Sequence, residues 1–167
     1  MTTHQYLHEL PDESETESLA QRLCALILKD IQLQPPQGQT AAAVIHLSGD
    51  LGAGKTTFAR AFLRACGITG RIKSPTFALM EVYNDSRLNF YHLDFYRFSD
   101  PREWADAGLR DIYQPDSIVL IEWPLKAGAA LPVPDLVVEL TDHGHGRTAL
   151  LEAQTSRGTK WLKKLET

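Results

Sequence analysis

The sequence predicts an α/β sandwich with a mixed parallel and antiparallel sheet flanked by helices. Three observations carry this. Gly49-Asp50-Leu51-Gly52-Ala53-Gly54-Lys55-Thr56 fits G-x-x-x-x-G-K-[ST], a phosphate-binding loop that joins a buried strand to a helix. Ala43 to Leu47 and Ile118 to Ile121 are short apolar runs suited to buried parallel strands. Phe77 to Tyr83 and Leu88 to Asp94 flank the polar tetrad Asn84-Asp85-Ser86-Arg87, which is a hairpin signal. Crossovers through helices give the parallel part of such a sheet, and hairpins give the antiparallel part. The class is therefore P-loop NTPase-like, in one domain spanning 1–167 with its core at about 5–155.

Each element has a local reason. Tyr6 to Leu10 reads as a short strand stopped by Pro11. Ser14-Glu15-Thr16-Glu17 fits a capping box, and Leu19, Leu23, Leu26 and Ile27 give a helix stripe to about Leu28. Lys29 to Thr40, with Pro35-Pro36 and Gly38, reads as a loop. After the strand at Ala43–Leu47 and the glycine loop, a helix starts at about Lys55. Phe58, Ala59, Phe62, Leu63 and Cys66 recur at helical spacing, and Gly67 stands where a C-terminal stop belongs. Arg71 to Thr76 is a polar connection in which Pro75 excludes a helix interior. Asp100 as cap, Pro101 at the first helical position and Glu103 two residues later start a helix running to about Gly108. Leu136 to Leu140 and Thr148 to Ala153 are strands joined by a turn around Gly144 and Gly146. An amphipathic helix at about 158–165 carries Trp161, Leu162 and Leu165.

Composition excludes several classes. The 167 residues are 43% hydrophobic and 23% charged, ordinary for a globular domain. A net charge of −4 provides no global drive toward nucleic acid. No basic leader precedes an apolar run and no stretch approaches a membrane span, so the expectation is a cytoplasmic protein that does not meet the membrane. Cys24 and Cys66 each fall on an apolar helix face and read as buried free thiols rather than a disulfide or metal pair.

The chemistry centres on the glycine loop. Its three glycines let backbone N–H groups turn inward on an anion, and the following helix adds the positive end of its dipole. Lys55 supplies a charge for the β- and γ-phosphates, and the Thr56 hydroxyl is placed to ligate Mg²⁺. A hydrolytic site of this type needs a further acid at the end of a buried strand. Two compete: Glu122, closing Ile118–Ile121, and Asp94, closing the half-polar run Phe90-Tyr91-His92-Leu93. Thr76, in Ser74-Pro75-Thr76, stands where switch-type enzymes present a hydroxyl to metal or γ-phosphate, though a plain turn explains it equally. Trp123 follows Glu122 and lies close to any nucleotide as a core or lip residue. His92 reads as a packed or hydrogen-bonded strand residue, and His143 and His145 as a surface turn. Arg71, Lys73 and Arg97 form either a local basic rim or a solvated face.

Five linked segments, GDLGAGKTT (49–57), KSPTF (73–77), YHLDFYR (91–97), DAGLRD (106–111) and LIEWP (120–124), together resemble the bacterial TsaE/YjeE family. The resemblance covers roughly residues 5–155. It implies a small ATPase that uses ATP and Mg²⁺ to support formation of N6-threonylcarbamoyladenosine (t6A) at position 37 of tRNA, without forming the threonylcarbamoyl bond itself. By the same resemblance Leu51, Gly52, Ala53, Gly54, Lys55, Thr56 and Thr57 cradle the nucleotide. Thr56, Glu122 and Asp94 form the metal site, and Thr76 lies in a switch segment. An N-terminal acid after a proline also holds the nucleotide in the family, and Glu13, flanked by Asp12 and Glu15, is the match. The implied partners are TsaD-like and TsaB-like subunits, with tRNA met indirectly or weakly. A small-molecule kinase is the main alternative, but the arginines weighed for a lid (Arg71, Arg87, Arg97, Arg102, Arg110) are scattered. A nucleotide-dependent assembly module is another. No N-K-x-D segment supports a GTPase.

Overall fold

In the computed structural model, residues 3–36 and 40–167 are described. The elements are β1 (Gln5–Leu10), α1 (Glu13–Leu33), β2 (Ala43–Ser48), α2 (Lys55–Ala65), β3 (Met80–Asn84), β4 (Asn89–Asp94), α3 (Arg102–Asp106), β5 (Ser117–Glu122), β6 (Leu136–Asp142), β7 (Arg147–Ala153) and α4 (Ser156–Leu165). The strands form one seven-stranded sheet in the order β1-β7-β6-β2-β5-β4-β3. The four central strands β6, β2, β5 and β4 are mutually parallel, and the outer pairings are antiparallel. This is the mixed sheet expected from the sequence.

Apolar side chains bury both faces of the sheet. On one face Ile45, Leu47, Ile118 and Leu120 pack with Leu23 of α1, Phe58 and Phe62 of α2, and Trp161 of α4. On the other, Val44, Val119 and Ile121 pack with Phe95, Trp104 and Ile112. Burying each such side chain contributes about 1.5–3 kcal/mol. Alternation along a strand then fixes where the polar residues go. Glu122 shares its face with Ile118 and Leu120, and His92 and Asp94 share theirs with Phe90, so all three point toward the α2 side.

Several boundaries differ from the sequence reading. The N-cap of α1 is Asp12, whose Oδ1 accepts from the Glu15 N–H at 3.0 Å, so the helix starts before Ser14. It runs to Leu33, five residues beyond Leu28, because Asp30 in its last turns accepts from Lys160 Nζ and Trp161 Nε1 of α4. Residues 29–33 are thus helical, and Gly38 of the expected loop lies outside the described residues. β3 begins at Met80 rather than Phe77. The Leu79 N–H donates to the Pro75 carbonyl at 2.8 Å, closing a turn that leaves Phe77 85% exposed. The end of α2 is as expected: Gly67 takes φ +95° and the Ile68 N–H returns to the Leu63 carbonyl, a Schellman closure. Just before it, Cys66 meets Cys24 of α1. Both are buried and free, their sulfurs are 2.7 Å apart, and the contact with Cys24 together with burial pushes the Cys66 thiol up.

Candidate nucleotide-binding site

The glycine loop leaves β2 at the carboxyl end of the parallel strands, where open α/β sheets bind ligands. Gly49 takes φ +138°, and a Cβ there would lie 2.4 Å from the Leu140 carbonyl oxygen, so only glycine fits beside β6. The Ala53 N–H closes the loop onto the Asp50 carbonyl at 3.1 Å, and α2 begins directly at Lys55. Lys55 is buried at 4% exposure. Its Nζ donates to the carbonyls of Gly49 (2.7 Å) and Asp50 (2.8 Å) and lies 4.1 Å from the Trp123 ring centre. Burial lowers its pKa, opposed by the charges of Glu122, Asp94 and Asp50.

The two candidate acids are both present. Asp94 and Glu122 are in register on adjacent parallel strands, one beyond the Leu93–Ile121 pair. They are 5% and 2% exposed. The Thr56 hydroxyl donates to Glu122 Oε1 at 2.9 Å and lies 3.2 Å from Oε2. The Thr76 hydroxyl donates to Asp94 Oδ2 at 3.1 Å, and the Tyr96 N–H to Asp94 Oδ1 at 2.9 Å. Among the described residues, His92 is the one basic side chain within 4.0 Å of either carboxylate. Two buried like charges side by side are unfavourable unless a cation joins them.

The donors that converge here are hydroxyl and carboxylate oxygens, which suit a hard cation such as Mg²⁺. No group of three or more His, Cys, Asp or Glu side chains gathers as a cage among the described residues. Mg²⁺ characteristically needs none, taking one or two carboxylates with phosphate oxygens and water. The residues present therefore fit the ion.

A cavity of about 270 Å³ gathers these groups: Leu51, Gly52, Gly54, Lys55, Thr56, Thr57, Thr76, Asp94, Tyr96, Glu122, Trp123 and Arg147. Of the residues singled out from sequence, Ala53 is buried beneath the loop rather than lining the cavity. Glu13 lies beside it, on two depressions that share Thr57 and Arg147 with the main cavity. Arg71, Lys73 and Arg97 do not line it; Arg97 instead stacks over the Phe77 ring at 4.4 Å. Sequence reasoning misses Arg147. Its NH2 donates to the Gly52 carbonyl at 3.0 Å, so a cation from β7 holds the glycine loop. No local pattern marks it; only the β2–β6–β7 neighbourhood brings it there. Trp123 at φ +59° and Leu79 at φ +70° are the two non-glycine residues with left-handed backbone among the described residues; Trp123 lines this cavity, and the Leu79 carbonyl accepts from the Asp94 N–H at 3.0 Å. Such strain costs about 1–3 kcal/mol per residue and concentrates at functional sites.

The model of the family described as "Threonylcarbamoyl adenosine biosynthesis protein TsaE" matches residues 10–149. The chain belongs to the TsaE family. The tRNA threonylcarbamoyladenosine biosynthesis protein TsaE of Haemophilus influenzae is 38% identical over 149 residues, covering 89% of this chain and 90% of that protein. The protein of the same name from Bacillus subtilis is 41% identical over 101 residues, 60% of this chain and 63% of that one. The crystal structure of Bacillus subtilis YdiB superposes with a TM-score of 0.72 at 26% identity, covering 99% of this chain and 97% of YdiB. The family match includes the cavity's lining from Leu51 to Arg147, so the TsaE-family segment and the candidate site coincide. No described helix is long and apolar enough to cross a membrane.

Proposed function

We propose that this TsaE-family chain binds ATP with Mg²⁺ in the Lys55–Glu122 cavity. Its hydrolysis of that ATP supports threonylcarbamoyl transfer to adenosine 37 of tRNA. Family membership ties the chain to threonylcarbamoyladenosine biosynthesis. The observation that carries the ATPase reading is one cavity lined by Lys55, Thr56, Asp94 and Glu122, with Thr56 donating to Glu122 and the two acids paired in register on adjacent strands. In this reading the backbone N–H groups from Leu51 to Thr56 and the Lys55 nitrogen bind the β- and γ-phosphates, Lys55 leaving the Gly49 and Asp50 carbonyls to do so. Mg²⁺, when bound, neutralises phosphate charge. Thr56 and Glu122 offer it oxygen, and Asp94, held by Thr76 and the Tyr96 N–H, orients water toward the γ-phosphorus.

Exposed apolar side chains in the cavity's lining or close to it in sequence support a partner-dependent mode. Leu51, Phe77 and Leu125 are 69%, 85% and 87% exposed, on the segments that carry Lys55, Thr76 and Trp123. Exposed apolar side chains on site-bearing segments suit covering by another protein, here the TsaD-like and TsaB-like subunits. A kinase reading is weaker, because among the described residues Arg147 is the one arginine lining the cavity.

The experiment is ATP turnover and threonylcarbamoyladenosine formation in tRNA, assayed with and without the two partner proteins. The reading expects slow turnover alone, faster turnover with partners, and loss of both outputs in Lys55→Ala. Partner-independent phosphoryl transfer to a small acceptor, or unchanged tRNA modification in Lys55→Ala, overturns it.

A further inference from the structure

His92 is a buried polar side chain against Glu122 that the ATPase reading leaves without a task. It is wholly buried on β4, and its Nε2 lies 2.6 Å from Glu122 Oε2. Its Nδ1 has no hydrogen-bond partner among the described residues. A buried polar atom left unsatisfied is costly, so packing alone favours an apolar side chain here. The strand register explains the contact. His92 pairs with Leu120, two residues before the Asp94–Glu122 pair, on the same face of the sheet. The imidazole therefore reaches diagonally to the carboxylate of the next pair on that face.

Glu122 is thereby held at both oxygens. With the carboxylate accepting, Nε2–H donates to Oε2, while the Thr56 hydroxyl donates to Oε1. A glutamate's last torsion is otherwise soft. We propose that His92 is a positioning residue for the cation site. It pins the Glu122 carboxylate so that a free lone pair of Oε1 and one of Thr56 Oγ1 face the same point in the cavity. The proposal rests on the ATP·Mg²⁺ reading above. Hydrogen-bonded partners behind a metal ligand commonly set its orientation, and their loss costs about 10- to 100-fold in metal affinity or activity.

The test uses calorimetric binding of ADP to the full chain across a Mg²⁺ series, with His92→Leu, His92→Asn and His92→Gln compared with wild type. The glutamine amide reaches as far as Nε2 and can donate; leucine cannot donate, and asparagine falls short. His92→Leu and His92→Asn should need about 10- to 100-fold more Mg²⁺ for half-maximal binding, with ADP affinity in EDTA unchanged. His92→Gln should lose less than about tenfold. Should His92→Leu fail to fold by circular dichroism, the asparagine–glutamine contrast still decides. Equal Mg²⁺ requirements in wild type and His92→Asn overturn the proposal, and so does equal loss in His92→Gln and His92→Asn. A wild type that binds no nucleotide, or binds it without regard to Mg²⁺, overturns the underlying ATPase reading as well.

Discussion

Asp94→Asn should make the ligand-free protein more stable and the nucleotide-bound protein less so. Asp94 and Glu122 are paired in register on adjacent strands, 5% and 2% exposed. Neighbouring strands lie about 5 Å apart, so two full charges repel by about 3 kcal/mol at an effective dielectric of 20. The asparagine keeps the local hydrogen bonds: its carbonyl still accepts from the Tyr96 N–H, and its amide can donate to the Thr76 oxygen that now donates to Asp94. Part of the gain is offset by lost attraction to Lys55, whose charged form both acids favour against burial. A net stabilisation of about 1–2 kcal/mol remains, which raises Tm by about 2–8 °C in a chain of this size. The assay is thermal unfolding with and without Mg²⁺ and ATP. Wild type should gain Tm on adding both, and Asp94→Asn should start higher and gain less. A variant that is less stable without ligand, or that keeps the full ligand-induced rise, refutes the reasoning.

Other substitutions probe separate links. Gly49→Ala must adopt φ +138° against the Leu140 carbonyl and should lose at least about 2 kcal/mol by urea unfolding, together with nucleotide binding; wild-type stability would contradict the close approach. Asp135, 3% exposed, accepts from the Val44 N–H, Thr155 and Arg157, so Asp135→Ala should cost about 3–5 kcal/mol by leaving those donors unpaired. His46 is buried on β2 with its pKa pushed down to about 4 from 6.5 by burial. Its folded pKa is the lower one, so the unfolded chain takes up the proton first. His46 therefore costs stability as pH falls from about 6.5 to about 4, by about 3 kcal/mol in all, and nothing above that window. His46→Leu should flatten the acid limb of a stability–pH curve by that amount; parallel curves would contradict it.

The glycine loop was legible because it is a local device: backbone curvature, lysine and threonine all lie within eight residues. Glu122 was legible because a charge abruptly ends an apolar run. Asp94 was harder to read. His92 and Asp94 break the apolar pattern of β4, since their face, which holds Phe90 in the core, meets Glu122 and Thr76 toward the end of the strand. What sequence reasoning missed depends on distant partners. The last turns of α1 persist because Asp30 meets Lys160 and Trp161, 130 and 131 positions away. The turn before β3 leaves Phe77 under Arg97 instead of in a strand. Arg147 reaches Gly52 across 95 positions through two strand pairings. Its local surroundings show only a polar turn.

The most direct measurement of the central claim is calorimetric titration of ATP with Mg²⁺ into the wild-type chain and Lys55→Ala. Lys55 is the buried cation beside the two acids, so the wild type should bind one ATP per chain and the variant at least about 30-fold more weakly. No heat of binding in the wild type, or equal affinity in the folded variant, would contradict the account.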